Sequence, residues 1–553
     1  MIRSTEELSQ KEFDLVVIGG GIHGAMLFWR ACLSGLSTAL IENADFGHAT
    51  SASSQKIIHG GLRYLQSFNI PRIRQSVRER RRLMKLAPHL VRPLPCIMPI
   101  YGHGLKGREA MWAGLRAYDM LSLDRNSSLE PSHYIPAGRL LSAEETLHDV
   151  PGVLTKGLLG GANWYDSICL NTERLVLEFI KTGCFHGGVA ANYVKATGIT
   201  RKNKEVTGVK ARDVFTKKEF SIRARKVAAC VGPWINEFYS LLGLMKRVTP
   251  VPLAAGVNII VQKKFPGEAA FAVQSSKQKG RLFVVVPWNG KSIIGTEYFP
   301  YKGEPDDCDV TLDECETLLK EFNLCYPTAE IQKSDITFVH KGLLPCTFTG
   351  GQEKGEIKID SEFKIVDFSS YGFQGLTGVT GVKYTTAGFV AEKVLKKIFP
   401  GVRMINETAF LQCSKFADDE NFPFGTESKA FFKKEEVKGL IQIFGSEYKK
   451  VLSLCGNGSC PEPEKRKSRL LRGMARFSVQ EEMACTLSDI AFRRIPVASS
   501  GFPADGEIDE LAGYMQEELN WSEEKKEIEL ESFFRSFPHF ETREKPRRLR
   551  QVL

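Results

Sequence analysis

Three glycines near the start of the chain lie at the spacing of a phosphate-binding turn. Gly19, Gly21 and Gly24 form G-x-G-x-x-G, with Ile22 and His23 inside the motif. The first glycine permits a tight turn, the second lets backbone N–H groups approach a pyrophosphate, and the third lets a helix pack closely on a strand. Because a helix N-terminus carries partial positive charge, the motif predicts a dinucleotide site.

An acidic residue follows these glycines at the distance that dinucleotide recognition requires. Glu42 lies about 20 residues further on, where a carboxylate accepts hydrogen bonds from ribose hydroxyls. Glycines in a strand–helix turn without any nucleotide are the alternative interpretation of the motif taken alone. The surrounding pattern favours nucleotide binding, but the motif does not separate NAD from FAD.

A polar loop and a pair of glycines come next. The loop at 49–56, which ends at Lys56, offers a flexible backbone and the hydroxyls of Thr50, Ser51 and Ser54 to a diphosphate, although its composition alone indicates only a loop. Paired glycines allow close approach to a flat ring because they have no Cβ. An imidazole, a guanidinium and a phenol then stand beside that ring in the segment His59-Gly60-Gly61-Leu62-Arg63-Tyr64.

The elements that must position these residues begin with a βαβ unit. The apolar β-branched run at 15–18 is typical of a buried parallel strand, and a helical pattern at 24–35 and a second strand at 37–41 follow it. Residues 188–232 alternate in short β-type runs, 248–300 are rich in strands, and 363–368 is a further strand. We expect a parallel sheet at the nucleotide and an antiparallel platform over it.

From about residue 403 the pattern becomes helical. One helix is predicted over 435–454, and another opens with a capping box at Ser478 and Glu481 and runs to 494. Two more are predicted over 507–519 and 523–534. We therefore expect a separate C-terminal helical domain.

Bulk properties indicate a multidomain globular protein. With 553 residues, of which 42% are hydrophobic and 25% charged, the chain is too long for one core. Basic residues account for a net charge of +10 and cluster at 72–85 and 543–550. Such runs attract anionic lipid or nucleic acid, whereas a solvated helix face is the alternative interpretation. No nucleic-acid motif accompanies them.

Cysteine usage and hydropathy exclude several other classes. The thirteen cysteines include no C-x-x-C pair and no zinc-ligand spacing with histidine, so we expect buried free thiols and no metal. No apolar run is long enough to cross a bilayer, and the polar stretch at 1–11 does not resemble a secretory signal. We expect a cytoplasmic protein, lying peripherally on the inner face of the cell membrane.

The chain resembles the FAD-dependent glycerol-3-phosphate dehydrogenase family of the aerobic, respiratory type along nearly its whole length. The main motif, Lys56-x-x-His59-Gly60-Gly61-Leu62-Arg63-Tyr64-Leu65, follows the βαβ unit directly. Further motifs occur in the order of the family: Leu86-Ala87-Pro88-His89-Leu90, Gly114-Leu115-x-x-Tyr118-Asp119, Tyr165-Asp166, Gly232-Pro233-Trp234, Ser292-Ile293-Ile294-Gly295-Thr296 and Lys383-x-Thr385-Thr386. Ordered matches along most of the chain are far more specific than any one motif.

The resemblance implies an α/β fold with a Rossmann-like FAD-binding domain, an antiparallel-sheet substrate cap domain and a C-terminal all-α domain. The FAD-dependent oxidoreductase region is expected at 1–402 and the helical domain at 403–553. Within the first region, FAD-binding parts are expected at about 1–105, 188–240 and 362–402, and cap parts at about 106–187 and 241–361.

The resemblance also implies oxidation of sn-glycerol 3-phosphate to dihydroxyacetone phosphate, with electrons passed to membrane quinone. Catalytic roles are expected for His59, Arg63, Tyr64 and Lys383. FAD contacts are expected from Gly19, Gly21, Ile22, His23, Gly24, Glu42, Thr50, Ser51, Ser54, Lys56, His59, Gly60, Gly61, Leu62, Val194, Gly232, Trp234, Lys383 and Thr385. The expected partners are a phosphorylated small molecule, quinone or another acceptor, and an anionic membrane surface, with no nucleic acid and with a homodimer as one option.

Two positions depart from the family pattern. Leu344 stands where the family has an arginine that grips the substrate, and Asn258 stands where it has a histidine. Loss of the arginine removes charge-assisted hydrogen bonds worth about 1.5–3 kcal/mol each. Lys341, three residues earlier, can supply a positive charge from another angle and is a further catalytic candidate. Two alternatives follow: the same fold acting on another phosphorylated or acidic alcohol or amine, and a flavin-binding protein without turnover.

Overall fold

The computed structural model describes residues 1–104, 107–263, 265–275, 282–349, 356–360, 362–405, 411, 413, 432–456 and 462–537. The basic cluster at 543–550 lies outside this range. Within it, the chain forms two large β-sheets with helices packed on them, followed by a region of helices alone. The predicted fold class, α/β with an antiparallel second sheet and an all-α C-terminal part, is confirmed.

The described strands are numbered β1 to β18 in chain order. They are Glu12–Ile18, Thr38–Ile41, Ile57–Ile58, Val91–Tyr101, Arg139–Leu141, Leu158–Cys169, Val189–Ala191, Val194–Lys202, Glu205–Asp213, Glu219–Ala229, Leu253–Val261, Ala270–Gln274, Leu282–Trp288, Lys291–Tyr301, Ile336–Thr349, Glu356–Ile359, Lys364–Asp367 and Leu376–Thr380.

The described α-helices are numbered α1 to α14 in the same way. They are Thr5–Gln10, Ile22–Leu33, Ile70–Leu86, Arg108–Leu121, Ala143–Asp149, Thr172–Phe185, Ile235–Leu241, Leu312–Cys325, Ala387–Ile398, Lys434–Phe444, Tyr448–Ser453, Pro463–Glu482, Glu507–Leu519 and Glu523–Arg535. A short π-helix, Asp489–Arg494, lies between α12 and α13.

The first sheet has the order β17-β18-β10-β1-β2-β7, and β8 and β9 extend it from β10. The five strands from β18 to β7 run parallel, so their carboxyl ends meet at one edge. Val17 on β1 faces the core with α2, α6 and α9, whereas Val16 faces a second core that includes Phe238 and Phe368. Because both faces of the sheet are covered, the residues of β1 from Leu15 to Ile18 are all apolar.

The second sheet has the order β16-β15-β11-β14-β13-β12-β4-β6-β3, with β5 paired to β6. Nearly all its pairs are antiparallel, and α8 covers one face through Leu318 and Phe322. The sequence assigned residues 57–58 and 91–101 to the FAD-binding part, but β3 and β4 belong to this second sheet. No strand was predicted in either segment, and both strands pair with β6.

The helical region corrects two predictions. The helix expected over 435–454 is interrupted at Gly445, which has φ +55°, and a Cβ there would lie 2.0 Å from the Cys413 carbonyl oxygen. The helix expected to begin at Ser478 begins instead at Pro463 and ends at Glu482. Ser478 lies inside it, and its hydroxyl donates to the Met474 carbonyl at 2.7 Å, so no capping box forms. The helices near 507–519 and 523–534 are confirmed.

The basic stretch at 72–85 lies on α3, and most of its charge is used inside the protein. Arg80 and Arg82 are buried, while Arg78 is exposed. The ion pairs on this helix are Arg72–Glu362, Arg74–Asp124, Arg80–Asp166, Arg81–Asp124 and Arg82–Glu79. Most of the charge on this helix is therefore paired within the protein, while Arg78 remains exposed.

None of the helices in the described part of the chain combines the length and the apolar character needed to cross a lipid bilayer.

Candidate active site

The glycine turn that joins β1 to α2 is packed too tightly for side chains at Gly19 and Gly24. Gly19 has φ +106°, and a Cβ there would lie 2.4 Å from the Cys230 carbonyl oxygen. A Cβ on Gly24 would lie 1.9 Å from the Gly19 carbonyl oxygen. Ser51 accepts a hydrogen bond from the Ile22 N–H at 3.0 Å, which brings the polar loop to the first turn of α2. This geometry places backbone N–H groups at a helix N-terminus, as an anion site requires.

Glu42 closes the other end of this turn. Its carboxylate is buried and accepts hydrogen bonds from the Gly20 N–H at 2.6 Å and the Ala44 N–H at 2.9 Å. Each carboxylate oxygen has further lone pairs, so the group can still accept from a hydroxyl. The Glu42 carboxylate therefore links the end of β2 to the glycine turn and remains able to accept a hydrogen bond from a ligand hydroxyl.

A cavity of about 510 Å³ begins at the glycine turn and extends to β15, which is within the usual range for a cofactor site. Ten of the predicted FAD contacts lie in its wall: Gly19, Gly21, Ile22, His23, Glu42, Thr50, Ser51, Val194, Gly232 and Trp234. The wall also includes residues that the sequence did not single out, among them His48, Leu343, Gly381 and Tyr384. The glycines, the acid and the hydroxyls that FAD requires therefore line one cavity.

The loop at 50–56 is held against the second sheet. Thr50 donates to the Leu343 carbonyl at 2.9 Å, and a Cβ on Gly342 would lie 3.2 Å from the Thr50 methyl carbon. Ser54 contacts His340 through its carbonyl oxygen at 3.3 Å. Burial lowers the pKa of His340 to about 4, so this histidine is neutral at physiological pH. The two sheets thus meet at the cofactor cavity.

Lys56 does not reach the cavity wall. Its side chain is fully buried, and its ammonium lies 2.9 Å from a carboxylate oxygen of Glu173 on α6 and 2.9 Å from the Thr172 hydroxyl. The charge of Lys56 is therefore neutralised inside the protein. In the structure this lysine anchors the polar loop to α6 and does not make the predicted FAD contact.

His59 and Gly60 are both held by Asp166 on β6. The His59 Nδ1 lies 3.1 Å from one carboxylate oxygen, and the Gly60 N–H donates to the other at 2.6 Å. Burial alone would raise the pKa of Asp166, but the hydrogen bond and charge of His59 and the charge of Arg80 lower it. The His59 side chain remains 61% exposed, so it is oriented by a buried anion and is open to a substrate.

The glycine pair is required by crowding on both sides. A Cβ on Gly60 would lie 2.2 Å from the Tyr118 hydroxyl, and a Cβ on Gly61, which has φ +90°, would lie 2.8 Å from Ser76. Tyr118 also donates to the Gly60 carbonyl at 3.0 Å. Leu62 and Arg63 follow in a short 3₁₀ turn, where Arg63 is exposed.

The Gly381 turn brings Lys383 and Thr385 to the same region. Thr385 accepts a hydrogen bond from the His59 N–H at 3.2 Å. Lys383 donates to the Tyr64 hydroxyl, and its Nζ lies 4.7 Å from the centroid of that ring. His23 packs against Gly381, since a Cβ there would lie 2.6 Å from the imidazole; burial lowers the pKa of His23 to about 4. The predicted catalytic residues His59, Tyr64 and Lys383 are thus brought together beyond one end of the cavity.

Comparison with known proteins decides the family. Residues 14–392 match the family described as FAD dependent oxidoreductase, and residues 411–526 match the C-terminal domain of alpha-glycerophosphate oxidase. A glycerol-3-phosphate dehydrogenase from Synechocystis sp. is 30% identical over 560 residues, which cover 96% of this chain and 97% of that relative. The chain belongs to the FAD-dependent glycerol-3-phosphate dehydrogenase family.

Other members and a solved structure agree with this placement. An alpha-glycerophosphate oxidase from Streptococcus pyogenes is 30% identical over 82% of this chain and 74% of the oxidase. The X-ray structure of glycerol-3-phosphate dehydrogenase from Bacillus halodurans, complexed with FAD, has a TM-score of 0.75 at 24% identity. It covers 97% of this chain and 98% of its own, and therefore shows the same overall fold.

The two departures from the family pattern lie on neighbouring strands of the second sheet, where Leu344 is opposite Ala254 and Asn258 is opposite His340. Leu344 lines the cavity and packs against Gly256, whose Cβ position is 3.5 Å from its methyl carbon. Asn258 is buried on the neighbouring strand, and its Oδ1 accepts a hydrogen bond from the Thr296 hydroxyl at 2.8 Å. The family's arginine and histidine positions are thus occupied here by one apolar and one neutral polar side chain.

Lys341 lies on the opposite side of β15 from Leu344. Residues an odd number of positions apart on a strand point to opposite faces, and Lys341 pairs with Glu314 on α8 at 3.0 Å. Its ammonium also donates to the Asp309 carbonyl, and its side chain is nearly fully buried. The structure does not support Lys341 as the replacement for the family arginine, because its charge is directed away from the cavity and is already paired.

The sequence did not predict the positions of two residues of the site, Asp166 and Arg72. Asp166 was noted only within a family motif, and its pairing with His59 depends on the contact between β3 and β6. Arg72 was counted with a basic helix, whereas its guanidinium carbon lies 5.4 Å from the centroid of the Tyr64 ring. The only feature of the sequence that could have indicated this contact is the position of Arg72, eight residues after Tyr64.

Proposed function

We propose that this protein is an FAD-dependent dehydrogenase that oxidises sn-glycerol 3-phosphate to dihydroxyacetone phosphate. The observation that carries the proposal is the position of the Lys383–Tyr64 pair. Gly381 and Val382 lie in the wall of the cofactor cavity, and the next residue places an ammonium group on the Tyr64 hydroxyl. A cation and a phenol beside the ring of a flavin suit a phosphorylated alcohol, which agrees with the names of the relatives.

The cavity supplies contacts for each part of FAD. The first turn of α2 would hold the pyrophosphate, and Glu42 would accept hydrogen bonds from the ribose hydroxyls. Val194 donates from its N–H to the Glu42 carbonyl at 2.7 Å and would therefore lie beside the adenosine half. When bound, FAD supplies acceptance of the hydride, and that chemistry belongs to the cofactor.

His59 is the best-placed base for the hydroxyl proton of the substrate. When Asp166 accepts a hydrogen bond from Nδ1–H, the lone pair of the imidazole is on Nε2. The exposed Nε2 would take the hydroxyl proton while the carbon-bound hydrogen leaves as hydride. Asp166 stabilises the imidazolium that forms, because it is a buried anion at hydrogen-bond distance.

Steady-state turnover of sn-glycerol 3-phosphate with an artificial electron acceptor tests the proposal. We expect turnover, together with bleaching of the flavin absorbance when substrate is added under anaerobic conditions. Bleaching only by a different phosphorylated or acidic alcohol or amine would keep the fold and replace the substrate. An FAD-loaded protein that no candidate substrate bleaches would be a flavin-binding protein without turnover.

We propose that FAD is bound without a covalent link. A covalent link needs a histidine or cysteine at the edge of the flavin ring, whereas Cys230 lies against the glycine turn that would hold the pyrophosphate, and burial raises the pKa of its thiol to about 12. A protonated thiol is a poor nucleophile. Acid precipitation should leave the yellow colour in the supernatant, and colour retained in the pellet would contradict this assignment.

We further propose that quinone is the acceptor and that the protein binds the membrane surface. The paired arginines of α3 do not support binding through that helix, but α4 has an apolar exposed face. The exposed fractions of Trp112 and Met120 on this helix are 56% and 73%, and Leu123, just after its end, is 82% exposed. Trp112 and Met120 lie eight residues apart on one side of α4, with half-exposed Arg116 between them. Apolar side chains flanked by a cation suit the interface of an anionic bilayer.

Vesicle sedimentation tests this surface. The double variant Trp112→Ala/Met120→Ala should reduce binding to anionic vesicles severalfold. The matched variant Phe185→Ala, at a 69% exposed phenylalanine that ends α6, should leave binding unchanged. An equal loss in both variants, or no loss in either, would rule out α4 as the docking face. Reduction of a short-chain quinone by the substrate-reduced enzyme tests the acceptor separately.

A further inference from the structure

The aromatic ring of Tyr64 is shared by two cations. Lys383 Nζ lies 4.7 Å from its centroid and donates to its hydroxyl, while the guanidinium carbon of Arg72 lies 5.4 Å from the same centroid. Both distances are within the range of cation–π contact. One aromatic ring therefore contacts two cationic side chains, and both cations line one small pocket next to the turn that ends the cofactor cavity.

A small pocket of about 20 Å³ lies between these groups. Tyr64, Arg72 and Lys383 contribute to its wall, and so does Glu362. His23, Gly381 and Val382 line both this pocket and the large cofactor cavity, so the two spaces adjoin. At this size the pocket has room for about one water molecule, so a phosphate can enter only when the Glu362 carboxylate leaves, and it would then remain beside the cofactor.

The ion pair between Arg72 and Glu362 is asymmetric. The Arg72 side chain is only 16% exposed, whereas that of Glu362 is 66% exposed. The arginine is therefore held by the protein, and the carboxylate reaches it from the solvent side. A dianionic phosphate can replace one carboxylate on a guanidinium, because it offers the same two-point geometry with more charge.

The other candidate cations of this region are less suited to an anion. Arg63 is exposed on its 3₁₀ turn, and Lys341 is paired with Glu314 on the far side of β15. Leu344 has no charge where the family has an arginine. Among the described residues considered for this role, Arg72 and Lys383 are the two that share one ring and one pocket.

We propose that Arg72 binds the phosphate of the substrate together with Lys383, and that Glu362 occupies the Arg72 guanidinium when no substrate is bound. Arg72 is then a specificity-determining residue that takes over the task of the missing family arginine. Glu362 competes with the phosphate for it. The proposal rests on the proposed function for the identity of the phosphorylated ligand, but the anion site itself does not depend on turnover.

Opposite effects of two substitutions test the proposal in the FAD-loaded enzyme. The dissociation constant of inorganic phosphate is measured by its perturbation of the flavin absorbance. Arg72→Gln should raise this constant roughly 10- to 100-fold, the loss of one charge-assisted contact. Glu362→Gln should lower it severalfold because the competing carboxylate is gone. Arg72→Lys, which keeps the charge without the two-point geometry, should give an intermediate value.

Matched controls separate an anion site from a structural ion pair. Arg74→Gln removes a neighbouring arginine of α3 that pairs with Asp124, and Asp360→Asn removes a carboxylate that pairs with Lys364. Both should leave phosphate binding unchanged. A purely structural pair predicts that Arg72→Gln and Glu362→Gln act in the same direction or not at all, and either result would overturn the proposal.

The KM for sn-glycerol 3-phosphate in the same variants distinguishes this proposal from the proposed function. Opposite KM shifts with little change in kcat would support both. Opposite shifts in phosphate binding in an enzyme that does not oxidise sn-glycerol 3-phosphate would retain the anion site and reject the substrate. Normal turnover with unchanged KM and unchanged phosphate binding would retain the function and reject the role of Arg72.

Discussion

Arg494 donates two hydrogen bonds to Asp45, from Nη1 to Oδ2 at 2.7 Å and from Nη2 to Oδ1 at 2.8 Å. Both side chains are buried, although 449 residues separate them in sequence. Asp45 follows β2 in the loop just after Glu42, and Arg493 donates to the same carboxylate. The C-terminal helical region therefore holds the loop at the ribose end of the cofactor cavity.

We expect Arg494→Met to reduce the free energy of unfolding by roughly 3–5 kcal/mol, because it removes one partner of a buried ion pair. FAD content should fall as well, since the loop after Glu42 loses its support. Urea denaturation and the ratio of flavin to protein measure the two effects. Arg535→Met removes an exposed pair with Glu531 and should cost only about 0–1 kcal/mol. Equal losses in the two variants would contradict this account.

Acid should weaken the contact between α6 and α12. Burial alone would raise the pKa of Glu482, but the charges of Arg174 and Lys181 and their hydrogen bonds lower it to about 2, from an ordinary value of 4.5. The unfolded chain therefore takes up this proton first. The stabilisation is complete above about pH 4.5 and is lost as the pH falls toward 2, a loss of roughly 3 kcal/mol for this group.

A second carboxyl in the same cluster modifies that pH dependence. Burial raises the pKa of Glu447, so the titration of this group opposes part of the effect. The free energy of unfolding, measured from pH 6 to pH 3, should therefore fall more steeply in the wild type than in Glu482→Gln. Identical slopes in the two proteins would show that Glu482 does not govern acid stability.

Leu344→Arg should lower the KM for sn-glycerol 3-phosphate. Leu344 lines the cofactor cavity, so an arginine there can add a charge-assisted contact, on the order of 1–3 kcal/mol. Lys341→Met should leave KM unchanged, because the ammonium of Lys341 pairs with Glu314 on the other face of the strand. Steady-state kinetics measure both. A raised KM in Lys341→Met would show that this lysine reaches the substrate after all.

Asp166→Asn should lower kcat about 100-fold while FAD stays bound, if His59 is the general base. The asparagine can still accept the hydrogen bond from Gly60 N–H, but it cannot stabilise an imidazolium by charge. Asp213→Asn is a matched control, since Asp213 pairs with Arg3 at 2.6 Å and does not line the cavity. Substrate-driven bleaching of the flavin in a stopped-flow experiment isolates this step. A bleaching rate unchanged by Asp166→Asn would remove His59 from that role.

Local patterns in the sequence were enough to predict the first turn of the cofactor site. Gly19 and Gly24 are required by contacts with residues in the same βαβ unit or the strand beside it, so spacing alone revealed them. The run Leu15 to Ile18 is apolar because the sheet is covered on both faces. Ser478 shows where local patterns fail: its spacing to Glu481 fits a capping box, yet packing of the preceding residues extends the helix back to Pro463.

The sequence by itself determined the family, the nucleotide turn and the first βαβ unit, because these can be recognised from residues close together along the chain. Only the tertiary structure decided the partner of each charge. Arg72 contacts Tyr64 and Glu362, and Asp166 contacts His59. Lys341 forms an ion pair with Glu314 on α8. Electrostatic energy depends on distance in space and on burial, and neither can be read from a count of charges along the chain.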